Sequence, residues 1–418
     1  MQILLVSNVF PPGFVGGFEL GALEVAKGLA DRGHDVQVLT SDYFLDENDA
    51  ISGLVVNRCL RCVGPSHEGA ANAQVQRLGV YHDYANLRRV AYAIRRQQPH
   101  VLLLFNIQGL GALSLMTMLS DLRMPTVVYM MDSPLVGLDS SSSLNCQYRK
   151  IFGQHRLSDC IRFISMSEKL VLECSAALDQ TIRADAIVPA WIHEELLTEP
   201  PEPEISSEVV RFAFCSRIAP HKGTDIVLDG AELLARDGVT NFVIDVFGDG
   251  QVAQFLQSVR ARGLDRFVHY RGSRPKWEMQ KLFRDYHALL FPTWEREPFG
   301  FVVSEAAAAG CVPIMTRGIG AGDWFFHEVD CIKIERSGHH LRQAMYMIAA
   351  MPVDARMDLR LAALGTARRL LPFRYWLPKI EDVCHIAASR GRPVTNSGNL
   401  QVLAAYQFLG QLWNDTAA

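Results

Sequence analysis

Short runs of apolar, β-prone residues alternate along this chain with longer segments whose apolar positions recur every three to four residues. Ile3–Ser7, Asp35–Leu39, Val101–Phe105, Thr126–Met130, Arg162–Ser165 and Asp185–Val188 read as strands, with helices over Gly17–Arg32, Tyr81–Gln97 and Leu110–Asp121. The strand runs are apolar throughout rather than alternating, which predicts strands covered on both faces, and helical crossovers predict a parallel sheet. Thr198–Glu208 breaks the pattern with three prolines and four glutamates, a composition that favours an extended, solvated path. The same grammar then restarts with strands near Arg211–Cys215, Phe242–Phe247, Phe267–Arg271, Ala288–Phe291, Val312–Met315 and Cys331–Ile334. After Leu371-Pro372 the pattern is helical through Ser389, a polar linker covers Gly391–Asn399, and Leu400–Trp413 suits one last amphipathic helix. The expected organisation is an α/β protein of two doubly wound, Rossmann-like domains. These span residues 1–197 and 209–372, joined by the linker 198–208, with helices over 373–418 that cross back to the first domain. Such domains bind ligands at the carboxyl ends of their strands, so function is expected in a cleft between them.

Composition narrows the class. The 418 residues are 49% hydrophobic and 21% charged, close to the globular average, which excludes disordered and fibrous readings. With 41 basic against 45 acidic side chains the net charge is -4, so no dedicated nucleic-acid binding is expected and any anionic ligand must be held locally. Nine cysteines are sparse and odd in number, and the pair Cys59 and Cys62 lacks a second CxxC or a nearby His. That favours idle thiols in a reducing cytosol over a structural metal. Met1–Ser7 has no basic start and no small-residue cleavage pattern, and reads as a first strand rather than a signal peptide. The uncharged window Val101–Leu119 contains Asn106, Gln108, Gly109 and Gly111, which split a strand from a helix and exclude a membrane span.

The candidate chemistry lies in loops that follow strands. Phe10–Gly21 leaves the first strand and opens a helix, so Gly16 and Gly17 present side-chain-free backbone at a helix N-terminus; this suits a phosphate or, equally, a sharp turn. The GxGxxG spacing of dinucleotide sites is absent, which disfavours an oxidoreductase. In the second half, Arg217 and Lys222 stand five residues apart in Arg217-Ile-Ala-Pro-His-Lys222-Gly223, a planar fork and a point charge suited to a diphosphate. Glu297 and Glu305 follow in Glu297-Pro-Phe-Gly300-Phe-Val-Val-Ser-Glu305, where a helix opens at about Phe301. One carboxylate is placed to meet a sugar and the other a ribose diol, although each also suits a helix dipole. Two further glycine-rich loops follow strands, at Phe247-Gly248-Asp-Gly250 and Gly318–Asp323.

Taken in order, the Gly-Gly loop, R-x4-K-G, the Phe247–Gly250 loop and E-P-F-G-x4-E resemble the GT-B glycosyltransferases, specifically the retaining family 4 type, over essentially the whole chain. The resemblance implies a retaining, metal-independent hexosyltransferase. It would take a nucleotide-diphosphate sugar as co-substrate, UDP ahead of GDP, need no cofactor, and transfer to a glycan, lipid-linked saccharide or small-molecule acceptor. Arg217 and Lys222 would grip the diphosphate, Glu297 the sugar hydroxyls and Glu305 the ribose, all three of the first named acting as catalytic residues. Gly16, Gly17, Gly248 and Ser273 would join the donor site, with backbone from Phe299, Gly300, Phe301 and Val302. Where the family often has His after its fourth strand and His-Asp after its fifth, this chain has Asn106 and Met131-Asp132; Asn106 and Asp132 become the acceptor-side candidates. Those departures keep open a sugar-nucleotide epimerase or phosphorylase of the same fold, and a catalytically weak nucleotide-sugar-binding protein. Helix 81–97 carries Arg88, Arg89, Arg95 and Arg96 with Tyr81, Tyr84 and Tyr92, which suits a solvated helix face or peripheral contact with an anionic inner membrane face.

Overall fold

The computed structural model of the chain describes residues 1–13, 17–42, 53–62, 81–135, 156–193 and 209–390. The chain divides into two compact units: Met1–Val188 together with the chain from Leu377, and Pro189–Trp376.

The first unit holds a sheet of β1 (Gln2–Val6), β2 (Asp35–Ser41), β3 (Val55–Leu60), β4 (Val101–Leu104), β5 (Thr126–Met130), β6 (Ile161–Ser165) and β7 (Ala186–Ile187). Its order is β3-β2-β1-β4-β5-β6-β7, and every pairing is parallel. Leu4, Leu5 and Val6 on β1 and all four residues of β4 are fully buried, as runs covered on both faces require. The connecting helices are α1 (Gly17–Asp31), α2 (Tyr84–Gln97), α3 (Ala112–Asp121) and α4 (Glu168–Leu178). Helix α2 starts three residues later than its pattern suggests, because the Asp83 side chain caps it by accepting the Asn86 N–H at 2.9 Å. Helix α3 likewise begins after Gly111 rather than at Leu110.

Two elements here escape the sequence pattern. Strand β3, VVNRCL, mixes polar with apolar residues because it pairs on one side only, with β2, and its burial alternates accordingly. Cys59 therefore lies on a strand. Burial pushes the Cys59 thiol up and the Cys62 thiol to about 12, so neither supplies a thiolate. Helix α4 is the other; it buries Leu170, Val171, Cys174, Ala177 and Leu178 and packs against β6.

The second unit repeats the plan with β8 (Val210–Cys215), β9 (Phe242–Phe247), β10 (Val268–Gly272), β11 (Ala288–Phe291), β12 (Val312–Thr316) and β13 (Ile332–Ile334), in the parallel order β10-β9-β8-β11-β12-β13. Around it lie α5 (Thr224–Arg236), α6 (Val252–Ala261), α7 (Lys276–Leu282), α8 (Phe301–Ala308), α9 (Gly338–Ala350), α10 (Val353–Leu370) and the start of α11 (Phe373–Arg390). Phe212, Phe214, Ile244, Leu290 and Ile314 from the strands close on Leu228, Leu234, Leu341 and Ile348 from α5 and α9. One charge is built into this sheet. Asp245 on β9, 1% exposed, accepts hydrogen bonds from Arg271 Nε at 2.6 Å, Tyr286 Oη at 2.9 Å and Arg211 Nη2 at 3.2 Å. Burial, the largest single influence, pushes its carboxyl up, but these donors together outweigh burial and hold it below the usual carboxylate range.

The residues before the proline-rich segment fold with the second unit. Ile192 N–H donates to Leu371 O at 2.8 Å, Phe373 N–H returns a bond to Ile192 O at 2.9 Å, and Trp191 packs edge-on against Phe301. Pro189–His193 was grouped by sequence with the first domain, since its apolar residues precede the composition break. The linker 198–208, the Gly391–Asn399 segment and the helix 400–413 lie outside the described residues.

Candidate functional site

In each sheet the strand order reverses between its first and fourth strands, β1 and β4 in one unit, β8 and β11 in the other. Open α/β sheets receive ligands at such switch points, outside the carboxyl ends of the strands. The sequence-derived candidates fall at both.

In the second unit, the loop after β8 runs through Arg217 into a short 3-10 turn, Pro220–Lys222. Gly223 ends that turn at φ +86° and opens α5; a Cβ there would lie 2.1 Å from Pro292 O, so only glycine lets this loop approach the segment after β11. The two loops are tied together. Trp294 N–H donates to His221 O at 2.9 Å, and the His221 and Trp294 rings lie 5.2 Å apart. Lys222 Nζ donates to Glu297 Oε2 at 2.6 Å, and Thr293 Oγ1 donates to the same oxygen at 3.3 Å. Thr316 Oγ1, at the end of β12, holds Thr293 O at 2.7 Å. Arg217 is exposed and makes no hydrogen bond or ion pair with another described residue. Burial, reinforced by the Lys222 and Arg217 charges, lowers the His221 pKa and keeps that ring neutral beside them.

Helix α8 completes the arrangement. Gly300, at φ +96°, is its N-cap, and a Cβ would stand 2.6 Å from Phe291 Cε1. Phe299 is buried in the core, so its side chain is unavailable to a ligand, while Phe301 and Val302 are half-exposed in the first turn. Glu305, one turn further on, lies 3.5 Å through Oε1 from Lys276 Nζ, and that ammonium sits 5.7 Å from the Phe301 ring centroid. Burial, aided by the Glu305 charge, pushes the Cys215 thiol to about 12. Ser273 is exposed just after β10. Gly248 follows β9, but its N–H donates to Gly272 O at 3.2 Å and its carbonyl accepts from Tyr270 Oη at 2.9 Å, so its contribution to a ligand is close approach rather than donation.

In the first unit, Asn106 follows β4 and Asp132 follows β5. Asn8 N–H donates to Asn106 O at 2.6 Å, Gln108 N–H to Asn106 Oδ1 at 3.3 Å, and Ser133 N–H to Asp132 Oδ1 at 2.7 Å. Both candidate side chains thus also shape their own loops. Gln108, absent from the sequence-derived set, bridges them by donating through Nε2 to Ser133 O at 2.7 Å. Gly17 is the first residue of α1, and Gly16 lies outside the described residues.

The family of proteins described as glycosyl transferases group 1 matches residues 210–349, the segment that carries Arg217, Lys222, Glu297 and Glu305. The chain is 22% identical over 351 residues to an uncharacterized glycosyltransferase of Methanocaldococcus jannaschii, covering 79% of this chain and 84% of that protein. Its fold is similar to sucrose-phosphate synthase of Thermosynechococcus elongatus, at TM-score 0.71 and 14% identity over 92% of this chain and 98% of that one. It is also similar to a glycosyltransferase of Rickettsia africae, at TM-score 0.68 and 14% identity over the same shares. Anabaena HepE, solved with UDP and glucose, gives TM-score 0.67 and 17% identity over 92% of this chain and 99% of that one. The two parallel sheets with flanking helices are those of the GT-B glycosyltransferases. No helix among the described residues is long and apolar enough to cross a membrane.

Proposed function

We propose that this glycosyltransferase takes its sugar from a nucleotide-diphosphate donor, a UDP-sugar ahead of a GDP-sugar, and transfers it with retention and without a metal ion at the reacting centre. The observation that carries the reading is the Lys222–Glu297 pair, which joins the loop after β8, where Arg217 is exposed, to the loop after β11 at the switch point of the segment that matches the glycosyl transferases group 1. The solved complexes of Anabaena HepE with UDP and with UDP-glucose support a uridine donor.

The residues divide the work by chemistry. As the bond from the anomeric carbon to the diphosphate oxygen breaks, negative charge builds on the leaving group, and Arg217 and Lys222 neutralise it. Glu297 Oε2 is held by Lys222 and Thr293, which leaves Oε1 for a donor-sugar hydroxyl. The acceptor oxygen attacks from the face the diphosphate leaves, its O–H bond breaks, and the proton passes to the departing diphosphate oxygen. Glu305, aimed by Lys276, takes the ribose diol, Ser273 borders the base, and the first turn of α8 offers N–H groups to the donor. Asn106 and Asp132 form the acceptor side. Helix α2, whose Arg88, Tyr92, Arg95 and Arg96 are exposed, suits peripheral contact with an anionic membrane face in the cytoplasm.

The test is a panel of nucleotide sugars with nucleotide release as readout, run with and without excess EDTA. Slow hydrolytic release of UDP or GDP, unchanged by chelator, is the expected result. Epimerised sugar, binding without turnover, or abolition by EDTA with Mn²⁺ or Mg²⁺ rescue each contradicts the reading.

A further inference from the structure

Three donor side chains from distant parts of the chain converge within the first unit, away from its switch point. His34 lies in the turn between α1 and β2, while Glu381 and His385 stand four residues apart on α11 and so share one helix face. One nitrogen or oxygen from each lies within 4.8 Å of the others. His34 Nε2 is 2.6 Å from Glu381 Oε1, and the His34 and His385 rings meet edge-on with centroids 6.0 Å apart.

Two of the three inner donors, Glu381 and His34, have outer partners. Arg32 Nε donates to Glu381 Oε2 at 2.7 Å, which leaves Oε1 facing the imidazoles, and His34 Nδ1 is 2.9 Å from the Met1 nitrogen. An outer hydrogen bond such as Arg32 to Glu381 orients a metal-binding carboxylate. An ion-paired clasp accounts for Arg32, His34 and Glu381. It does not account for His385, which makes no hydrogen bond to a described residue yet sits at the same point, exposed and able to admit an ion from solvent.

We propose that His34, Glu381 and His385 bind a zinc-class divalent transition metal, two imidazole nitrogens and one carboxylate oxygen with the remaining position open to water. This donor set suits zinc and neighbouring metals rather than magnesium or calcium. The ion replaces the proton between His34 Nε2 and Glu381 Oε1, which leaves to solvent, while the proton between the Met1 nitrogen and His34 Nδ1 settles on Nδ1, so that His34 binds as a neutral imidazole. It ties α11 to the α1–β2 turn across 347 residues of sequence. The Arg32 charge next to Glu381 weakens the site, so the ion acts as an exchangeable staple rather than a permanent one. The proposal is independent of the donor site, and EDTA removes the staple without touching the reacting centre.

The experiment uses the full chain stripped with EDTA and titrated with ZnCl₂ by calorimetry, alongside thermal melts with and without zinc. One equivalent is taken up with proton release, and saturating zinc raises the melting temperature by mass action. His385→Ala, a change at an exposed position, weakens uptake more than about tenfold and abolishes the melting shift, because it removes a ligand. Glu381→Gln does the same. Absence of uptake, or uptake and a melting shift that survive in His385→Ala, overturns the proposal; the latter assigns the zinc to surface histidines such as His339 and His340.

Discussion

Lys222 and Glu297, 75 positions apart in the sequence, are joined by a 2.6 Å hydrogen-bonded ion pair at the carboxyl end of the second sheet. Both side chains are mostly buried, so neither charge is fully solvated without the other. Lys222→Ala and Glu297→Gln are each expected to destabilise the protein, and the double variant by less than their sum. A coupling of about 0.5–3 kcal/mol is the range for residues in direct contact. Urea unfolding of the four proteins measures it; strict additivity contradicts the pair.

Glu305 serves the ribose in this account, a part of the donor that does not change during reaction. Its removal therefore weakens ground and transition states alike, and Glu305→Gln raises donor KM while kcat stays within a few-fold. Initial rates across donor concentrations separate the two constants. A drop in kcat at unchanged KM contradicts the assignment.

Gly300 sets the entry to α8. At φ +96°, with a Cβ position 2.6 Å from Phe291 Cε1, any side chain meets both backbone strain and a buried ring. Gly300→Ala should cost about 1–3 kcal/mol, the range for a residue forced into a sparsely populated backbone region. It should also raise donor KM as the first turn of α8 shifts. Denaturant midpoints and donor kinetics check both effects.

Much of this arrangement was legible in the sequence because it lies in local patterns. Uniformly apolar runs identify central strands such as β1 and β4, and the motifs place Arg217 and Lys222 on one loop after a strand and Glu297 on another, with Glu305 on the helix that follows. What the sequence leaves out is pairing across long separations. Nothing near Lys222 announces Glu297 as its partner, nor does Lys276 announce Glu305, and Gln108 joins the Asn106 and Asp132 loops only because β4 and β5 are adjacent. Strand β3 was missed because an edge strand need not be apolar on both faces.

Asp245 gives a pH dependence of known sign. Its carboxyl is held below its unfolded value of about 3.9, so the folded state binds its proton more weakly than the unfolded one. The stabilisation is present above that pH and is lost as pH falls through the lower folded value. Melting temperatures should therefore drop on acidification below about pH 4, and Asp245→Asn, less stable at pH 7, should show a shallower acid limb. An acid limb of unchanged slope in Asp245→Asn contradicts the network's role.

The central claim is that Arg217 and Lys222 stabilise a departing diphosphate, and kcat at saturating donor tests it most directly. Charge grows there only as the bond breaks, so loss of either cation lowers kcat more than it raises KM. Arg217→Ala and Lys222→Ala, each verified as folded, should lose about 10²–10³ in kcat, the usual cost of removing one preorganised donor. Values of kcat within a few-fold of the unsubstituted enzyme contradict the account.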